Sequence, residues 1–210
     1  MRSEKFGCFA SETESKTKKI AFDIVLLFLL GLICIVSFLL LNEGFIALIT
    51  SWGWTPREVL IDTANFWMWL LAVLVLAILP AVVEEIVFRG LLLKLFLRVG
   101  VVFAVIASSI IFAIYHLNWA QLVYQFIFGI ILASIVVRTK RLWYAMILHF
   151  INNFIVITYT YIVGDTGTLA FNWQTIFIMF TVAIMGSLFA IAIVKSLSVK
   201  GEEKNRKAID

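Results

Sequence analysis

The chain has 210 residues, of which 63% are hydrophobic and only 14% are charged. A soluble domain is about half apolar and about a quarter charged, so this composition excludes a soluble protein and indicates a polytopic membrane protein. The formal net charge of +4 comes mostly from basic residues near the two ends. A nucleic-acid-binding protein would need a folded basic face. We therefore predict no nucleic-acid partner and interpret these charges as signals of topology on the cytoplasmic side of a membrane.

Six apolar segments predict membrane-spanning helices, because about 20 apolar residues cross a bilayer as a helix. They cover residues 20–41, 65–98, 99–116, 122–137, 142–163 and 173–194. The mixed sequence 42–63 predicts an interfacial loop, and residues 164–167 predict a turn. The sequence therefore predicts an all-α bundle of about six helices. It forms a single transmembrane domain over residues 20–195, between cytoplasmic tails at 1–19 and 196–210.

The distribution of basic residues supports six spans. Basic residues are enriched in the N-terminal tail, at 94–98, at 138–141 and in the C-terminal tail, and they are scarce in the loops between. With six spans this enrichment alternates, which places both termini in the cytoplasm. Dividing segment 65–98 into two spans would move the cluster at 138–141 and the C-terminal tail to the outer side. We therefore prefer six spans.

Two carboxylates and an arginine lie inside the second apolar segment. An ionisable side chain in the bilayer is costly and normally has a function and a partner. Glu85 and Arg89 are four residues apart and share a helical face, which predicts an ion pair. Glu84 points away from that pair, so it remains available as a general base. The alternative is that both glutamates pair with Arg89 only to hold helices together.

Both histidines of the chain also lie in apolar segments. A hairpin of the second and third segments would bring His116 to the level of Glu84, and Phe112 shares the helical face of His116. In the fifth segment, His149 and Asn153 are four residues apart and face one way. Such a pair can donate hydrogen bonds to a developing oxyanion, or it can form hydrogen bonds between membrane helices.

These residues together resemble the CPBP family of membrane proteases. This family includes the type II CAAX prenyl endopeptidases and bacterial proteins linked to bacteriocin self-immunity. The family pattern is EExxxR, then FxxxH, then HxxxN. The chain has these motifs in the same order, as Glu84-Glu85-Ile86-Val87-Phe88-Arg89, Phe112-Ala113-Ile114-Tyr115-His116 and His149-Phe150-Ile151-Asn152-Asn153. The resemblance covers about residues 65–159, which we predict to be the protease core.

The resemblance implies an intramembrane endopeptidase that hydrolyses a peptide bond in a hydrophobic peptide or a membrane protein. Glu84 would activate a water that His116 positions or deprotonates. His149 and Asn153 would stabilise the oxyanion, while Glu85 and Arg89, with Phe112 beside His116, would support the site.

A metal is an open alternative. Family members are often called metalloproteases, and Glu84, His116 and His149 could supply three ligands to Zn²⁺, with water as the fourth. The chain has no HExxH motif, and a water activated by glutamate needs no metal when hydrogen bonds stabilise the oxyanion. We therefore favour a mechanism without a metal.

Two other classes of function compete with the enzyme. A non-catalytic bacteriocin self-immunity or scaffold protein would bind a peptide in the same cavity, but the complete set of motifs favours an enzyme. A small transporter or channel also uses buried carboxylates, but it would predict discontinuous helices or repeated halves. The sequence shows neither feature.

Overall fold

In a computed structural model, the backbone is described for residues 2–54, 65–163 and 173–206. Side chains are described for residues 19–38, 41–54, 65–162, 178 and 181–197. Within these ranges the chain forms no strand and six helices. They are α1 (Arg2–Ser51), α2 (Phe66–Phe96), α3 (Val101–Tyr115), α4 (Leu122–Thr139), α5 (Leu142–Val163) and α6 (Trp173–Arg206), and a 3₁₀ turn (Trp119–Gln121) precedes α4.

The six helices contain the six apolar segments of the sequence. Four stretches are long and apolar enough to cross a membrane: Lys19–Ser51, Phe66–Phe96, Trp119–Thr139 and Leu142–Ile162. Two further apolar stretches, Val101–Tyr115 and Thr181–Leu197, are shorter. The predicted polytopic all-α fold is confirmed, and the protein is an integral membrane protein. Segment 65–98 forms one helix rather than two, as the six-span interpretation requires.

The predicted loop at 42–63 is wrong over its first part. Helix α1 continues to Ser51, and the residues that follow 54 in this loop lie outside the described part until Asn65. Asn42, which suggested the loop, is buried in the helix. Its amide donates to the carbonyl of Ala120, and its side-chain oxygen accepts from the backbone N–H of Tyr124 at 3.3 Å. A polar residue with such partners does not need to end a helix.

Other boundaries also differ from the prediction. The backbone of α1 begins at Arg2 and that of α6 ends at Arg206, so both predicted tails continue a helix for most of their length. The predicted turn at 164–167 lies outside the described residues. Helix α3 is short because the chain leaves it at Leu117, whose φ of 49° is left-handed.

The apolar core lies between α1, α4, α5 and α6. Its members include Phe38 from α1, Phe128 from α4, Leu148 from α5 and Val194 from α6. Helices α1 and α6 approach closely because α6 has glycine at its contact with Ser37 of α1, where a Cβ at Gly186 would clash. Small residues at helix contacts are typical of membrane bundles.

Helix α2 alternates between two helical geometries. Its α-helical turns at Leu79–Glu85 are flanked by π-helical segments at Val73–Ile78 and Ile86–Leu92. Segments of π-helix often occur at functional sites. The central turns carry Glu84 and Glu85 at their end, so the irregular part of this helix is also the part that carries the acidic residues.

Candidate active site

The centre of the candidate site is a buried ion pair within α2. Arg89 Nη1 donates to Glu85 Oε1 at 2.8 Å, and both side chains are fully buried. The predicted pairing of these residues is confirmed. Arg89 Nη2 also donates to the carbonyl of Gly129 on α4 at 3.3 Å. The guanidinium carbon lies 4.1 Å from the ring centroid of Phe112, which is the distance of a cation–π contact.

Glycine at 129 allows α3 and α4 to come together beside this ion pair. A Cβ at Gly129 would lie 3.1 Å from Cβ of Ser109 on α3, which is tighter than ordinary contact. The carbonyl of Gly129 is the one that accepts from Arg89. The close approach of the two helices therefore brings a backbone acceptor within reach of the buried arginine.

His149 joins the same carboxylate from α5. Its Nδ1 lies 2.9 Å from Glu85 Oε1, and the imidazole is almost fully buried. A carboxylate oxygen can only accept, so Nδ1 of His149 carries the hydrogen. Phe112 and Phe128 flank the ring, with centroids 5.9 Å and 5.8 Å from its own. Glu85 therefore fixes both the position of His149 and the direction of its Nε2.

His116 is held in a comparable way at the end of α3. Its Nδ1 lies 2.9 Å from the carbonyl of Phe112, one turn earlier, so this nitrogen is also the one that carries the hydrogen. The ring centroid of Phe112 lies 4.7 Å from that of His116. Phe112 therefore packs beside the imidazole, as its position in the motif predicts, and Nε2 of His116 is left to face the site.

Glu84 lies between the two imidazoles. Its Oε2 is 3.9 Å from Nε2 of His116 and 3.9 Å from Nε2 of His149. This oxygen is buried, and it has no hydrogen-bond partner in the described part of the chain. Three acceptors therefore face one another when the imidazoles are neutral. Separations above about 3.5 Å are those at which a water bridges two polar groups, so the arrangement suits a water that donates one hydrogen to the carboxylate and the other to a ring nitrogen.

The same three side chains are the predicted zinc ligands. In tetrahedral zinc sites with bonds of about 2.0–2.1 Å, neighbouring ligand atoms lie about 3.4 Å apart. The separations between Glu84 Oε2 and the two ring nitrogens are 3.9 Å. Over the described ranges, no group of three His, Cys, Asp or Glu residues is placed to hold a metal ion. The side chains as they stand do not form a zinc site, and zinc stays an open alternative to the favoured mechanism without a metal.

Asn153 makes its contacts with α2. Its Nδ2 donates to the carbonyl of Leu76 at 3.0 Å, and its Oδ1 accepts from Asn152 at 3.2 Å. Leu76 lies in the π-helical segment Val73–Ile78, where a carbonyl accepts from the N–H five residues later, and this segment ends two residues before Pro80. Asn153 therefore links α5 to a carbonyl in an irregular turn of α2. The predicted contribution of Asn153 to an oxyanion site stays a prediction.

The polar contacts of Asn153 belong to a longer series that the sequence analysis missed. The hydroxyl of Tyr124 on α4 donates to Oδ1 of Asn152, and the backbone N–H of Tyr124 donates to Asn42 on α1. Hydrogen bonds thus connect α1, α4, α5 and α2 in sequence. The adjacent asparagines at 152 and 153 were the available signal, since a polar pair inside an apolar helix indicates partners on neighbouring helices.

Comparison with known proteins supports this assignment of the site region. Residues 65–155 match the family model described as type II CAAX prenyl endopeptidase Rce1-like. Over 89 residues the chain is 34% identical to the Bacillus subtilis (strain 168) protein named "Putative membrane peptidase YdiL". This match covers 41% of the chain and 36% of the relative, so the chain matches little more than a third of that relative's length. No solved structure matches the chain.

The matched segment contains every candidate site residue, from Glu84 on α2 to Asn153 on α5. It includes all of α2, α3 and α4, and it leaves α1 and α6 outside. The resemblance to membrane proteases of the type II CAAX prenyl endopeptidase family, which the three motifs predict, is therefore confirmed over residues 65–155.

Proposed function

We propose that the chain is an intramembrane endopeptidase that hydrolyses a peptide bond in a hydrophobic peptide or a membrane protein. The observation that carries the proposal is the position of the Glu84 carboxylate, 3.9 Å from Nε2 of both histidines. A carboxylate and two imidazoles from three helices face one another at this point, inside a largely apolar bundle. The match to a family of membrane peptidases supports the same conclusion.

In the proposed reaction Glu84 acts as the general base. It takes a proton from a water that Nε2 of His116 helps to orient, and the resulting hydroxide attacks the carbonyl carbon of the peptide. The carbonyl oxygen becomes an oxyanion in the tetrahedral intermediate. The proton on Glu84 then passes to the nitrogen of the leaving amine, the C–N bond breaks, and the carboxylate is restored.

His149 can stabilise the oxyanion only when its Nε2 carries a hydrogen. Nδ1 already donates to Glu85, so this form of the ring is positively charged. Glu85 lies next to that charge and stabilises it, whereas Arg89 on the same carboxylate oxygen opposes it. A ring that is already in this form before the attack presents its Nε2–H to the developing oxyanion, and no proton has to be delivered to it during the step.

The test compares the membrane peptidomes of cells that carry wild type or Glu84→Gln. We expect a precursor to accumulate only in the variant, because an amide of nearly the same shape cannot accept the proton. Glu43→Gln, which changes a glutamate of α1 outside the site, is the matched control, and membrane abundance is measured for all three. Normal processing by Glu84→Gln would reject the proposed base.

Two further outcomes identify alternatives. Protection against a bacteriocin that persists in Glu84→Gln would favour a non-catalytic self-immunity or scaffold protein that binds a peptide in the same cavity. Loss of peptidase activity in a chelator, with recovery on adding Zn²⁺, would favour a metal held by Glu84, His116 and His149.

We also propose that the protein resides in a bacterial cell membrane with both termini in the cytoplasm. The basic residues in the last turn of α4 and between α4 and α5, at 138, 140 and 141, support this orientation. Reporters fused after residue 140 and at the C terminus should both report a cytoplasmic location. A periplasmic or external signal from either fusion would overturn it.

A further inference from the structure

A groove of about 420 Å³ lies between α3, α4 and α6 and shares no residue with the Glu84 site. Its walls are aliphatic and include Val105 of α3, Ile130 of α4 and Ile191 of α6. This volume falls within the range of about 300–1,000 Å³ that is typical of ligand sites. The groove is therefore large enough to bind a specific ligand.

The charged residues of the groove are both cations. Among the described residues that line it, only Arg138 and Lys195 are charged. Each is the last residue that its helix, α4 or α6, contributes to the groove, and both are exposed. Lys140 and Arg141 follow Arg138 directly, so the positive charge extends beyond the groove. The groove is therefore apolar along its length and basic at one end.

We propose that this groove binds an anionic phospholipid, with an acyl chain along the aliphatic walls and the headgroup at Arg138 and Lys195. Basic sites between transmembrane helices recognise lipid headgroups in this way. A hydrophobic peptide fits less well, because its backbone groups would need hydrogen-bond partners in an apolar environment. Apart from the two cations, the polar side chains among the described lining residues are those of Ser134 and Ser187, and the hydroxyl of Ser187 donates to the carbonyl of Ala183 in its own helix.

The proposal is independent of the peptidase activity. The lipid would bridge α4, which lies in the segment matched to membrane peptidases, and α6, which lies outside it. A bound lipid of this kind stabilises the folded protein by an amount that grows with the logarithm of the lipid concentration above its Kd. Its loss would therefore loosen the contact between the two parts of the bundle without changing any group at the Glu84 site.

The first experiment measures lipid retention by the purified full chain, using native mass spectrometry after equilibration with phosphatidylglycerol and phosphatidylcholine. We expect wild type to retain phosphatidylglycerol with roughly twentyfold preference, since each basic group near a headgroup contributes about fivefold. The double variant Arg138→Gln/Lys195→Gln should lose the preference. The matched control Lys94→Gln/Arg98→Gln removes two cations elsewhere and should keep it.

Equal retention of both lipids by wild type, or an unchanged preference in Arg138→Gln/Lys195→Gln, would overturn the proposal. Competition by inorganic phosphate alone would also overturn it, because it would indicate an anion site that does not need the acyl chain.

A second measurement uses only wild type and so does not depend on the folding of a variant. Phosphatidylglycerol with a photoreactive group in its acyl chain should crosslink to the groove walls near Val105, Ile130 and Ile191. Crosslinks confined to other faces of the bundle would contradict the assignment of the site.

Discussion

Two adjacent glutamates on one helix have opposite environments. Glu85 is fully buried, and one of its oxygens accepts from both Arg89 and His149 at 2.8 Å and 2.9 Å. The side chain of Glu84 is 16% exposed, and its nearest charged or titratable partners are two ring nitrogens at 3.9 Å. The first carboxylate is engaged in strong hydrogen bonds, and the second faces groups to which it makes none.

Two identical side chains can therefore have different roles because of their positions on one helix. Residues 84 and 85 differ by about 100° around the helix axis, so they face different neighbours. One carboxylate can then organise the buried charges while the other stays available for proton transfer. A site with a single carboxylate would have to use the same group for both tasks.

The largest expected effect separates the two glutamates by activity and stability. Glu84→Gln should reduce peptidase activity by roughly 10²–10⁴-fold, the usual contribution of a general base, and leave the unfolding midpoint near that of wild type. Glu85→Gln should lower both the peptidase activity and the unfolding midpoint, because it weakens the contacts with Arg89 and His149. Turnover and thermal unfolding of the two purified variants test this. Equal behaviour of the two variants would remove the distinction between the carboxylates.

Removing Arg89 breaks the buried ion pair with Glu85. Arg89→Ala leaves Glu85 as a buried charge without its cation, and we expect a loss of about 3–5 kcal/mol in the free energy of unfolding. Arg98→Ala, which removes an arginine beyond the end of α2, is the matched control. Membrane abundance and unfolding in detergent measure the difference. An Arg89→Ala variant as stable as the control would show that the ion pair contributes little.

The next prediction concerns the hydrogen bond from Asn153 to α2, the helix that carries Glu84. Asn153→Ala should cost about 0.5–1.5 kcal/mol, the net contribution of one hydrogen bond, because the carbonyl of Leu76 loses its donor. Pro80→Ala restores an N–H four residues after Leu76, which can serve this carbonyl once the turn becomes α-helical, so the cost of Asn153→Ala should shrink in the Pro80→Ala background. The four unfolding free energies form a double-mutant cycle. A loss of activity that Pro80→Ala does not reduce would instead favour a direct contact of Asn153 with the oxyanion.

The smallest effect concerns the end of α3 next to His116. Leu117 has a left-handed φ of 49° and is 89% exposed, so its side chain contributes little packing in return for backbone strain. Leu117→Gly should therefore raise the free energy of unfolding by up to about 1 kcal/mol and keep the position of His116. Thermal unfolding and activity measure both parts. A clear loss of activity would show that Leu117 itself positions the imidazole opposite Glu84.

Local spacing was enough to predict the main parts of the site. The interval of four residues between Glu85 and Arg89 gives their ion pair directly, and the hairpin of α2 and α3 brings His116 to Glu84. Both are consequences of helix periodicity and of charges that are costly inside apolar segments. These rules could not predict that Glu85 also binds His149, because that contact depends on the packing of α2 against α5.

The sequence analysis missed features that depend on contacts between distant helices. Asn42 looked like the start of a loop, since its burial depends on residues about 80 positions later. The alternation between α- and π-helix in α2 has no periodic signal in the sequence. The contact of Asn153 with the carbonyl of Leu76 joins residues 77 positions apart, and no rule of local spacing connects the two.

The contact of Asn42 has a consequence for biogenesis. Helix α1 lies outside the peptidase-like segment, yet its asparagine binds the chain at the start of α4, at Ala120 and Tyr124. During synthesis α1 enters the membrane before either of these partners has been made. Its amide therefore binds water or lipid headgroups until three more helices have been inserted. Completion of residues 65–155, the segment that matches membrane peptidases, is thus coupled to the correct insertion of a helix outside that segment.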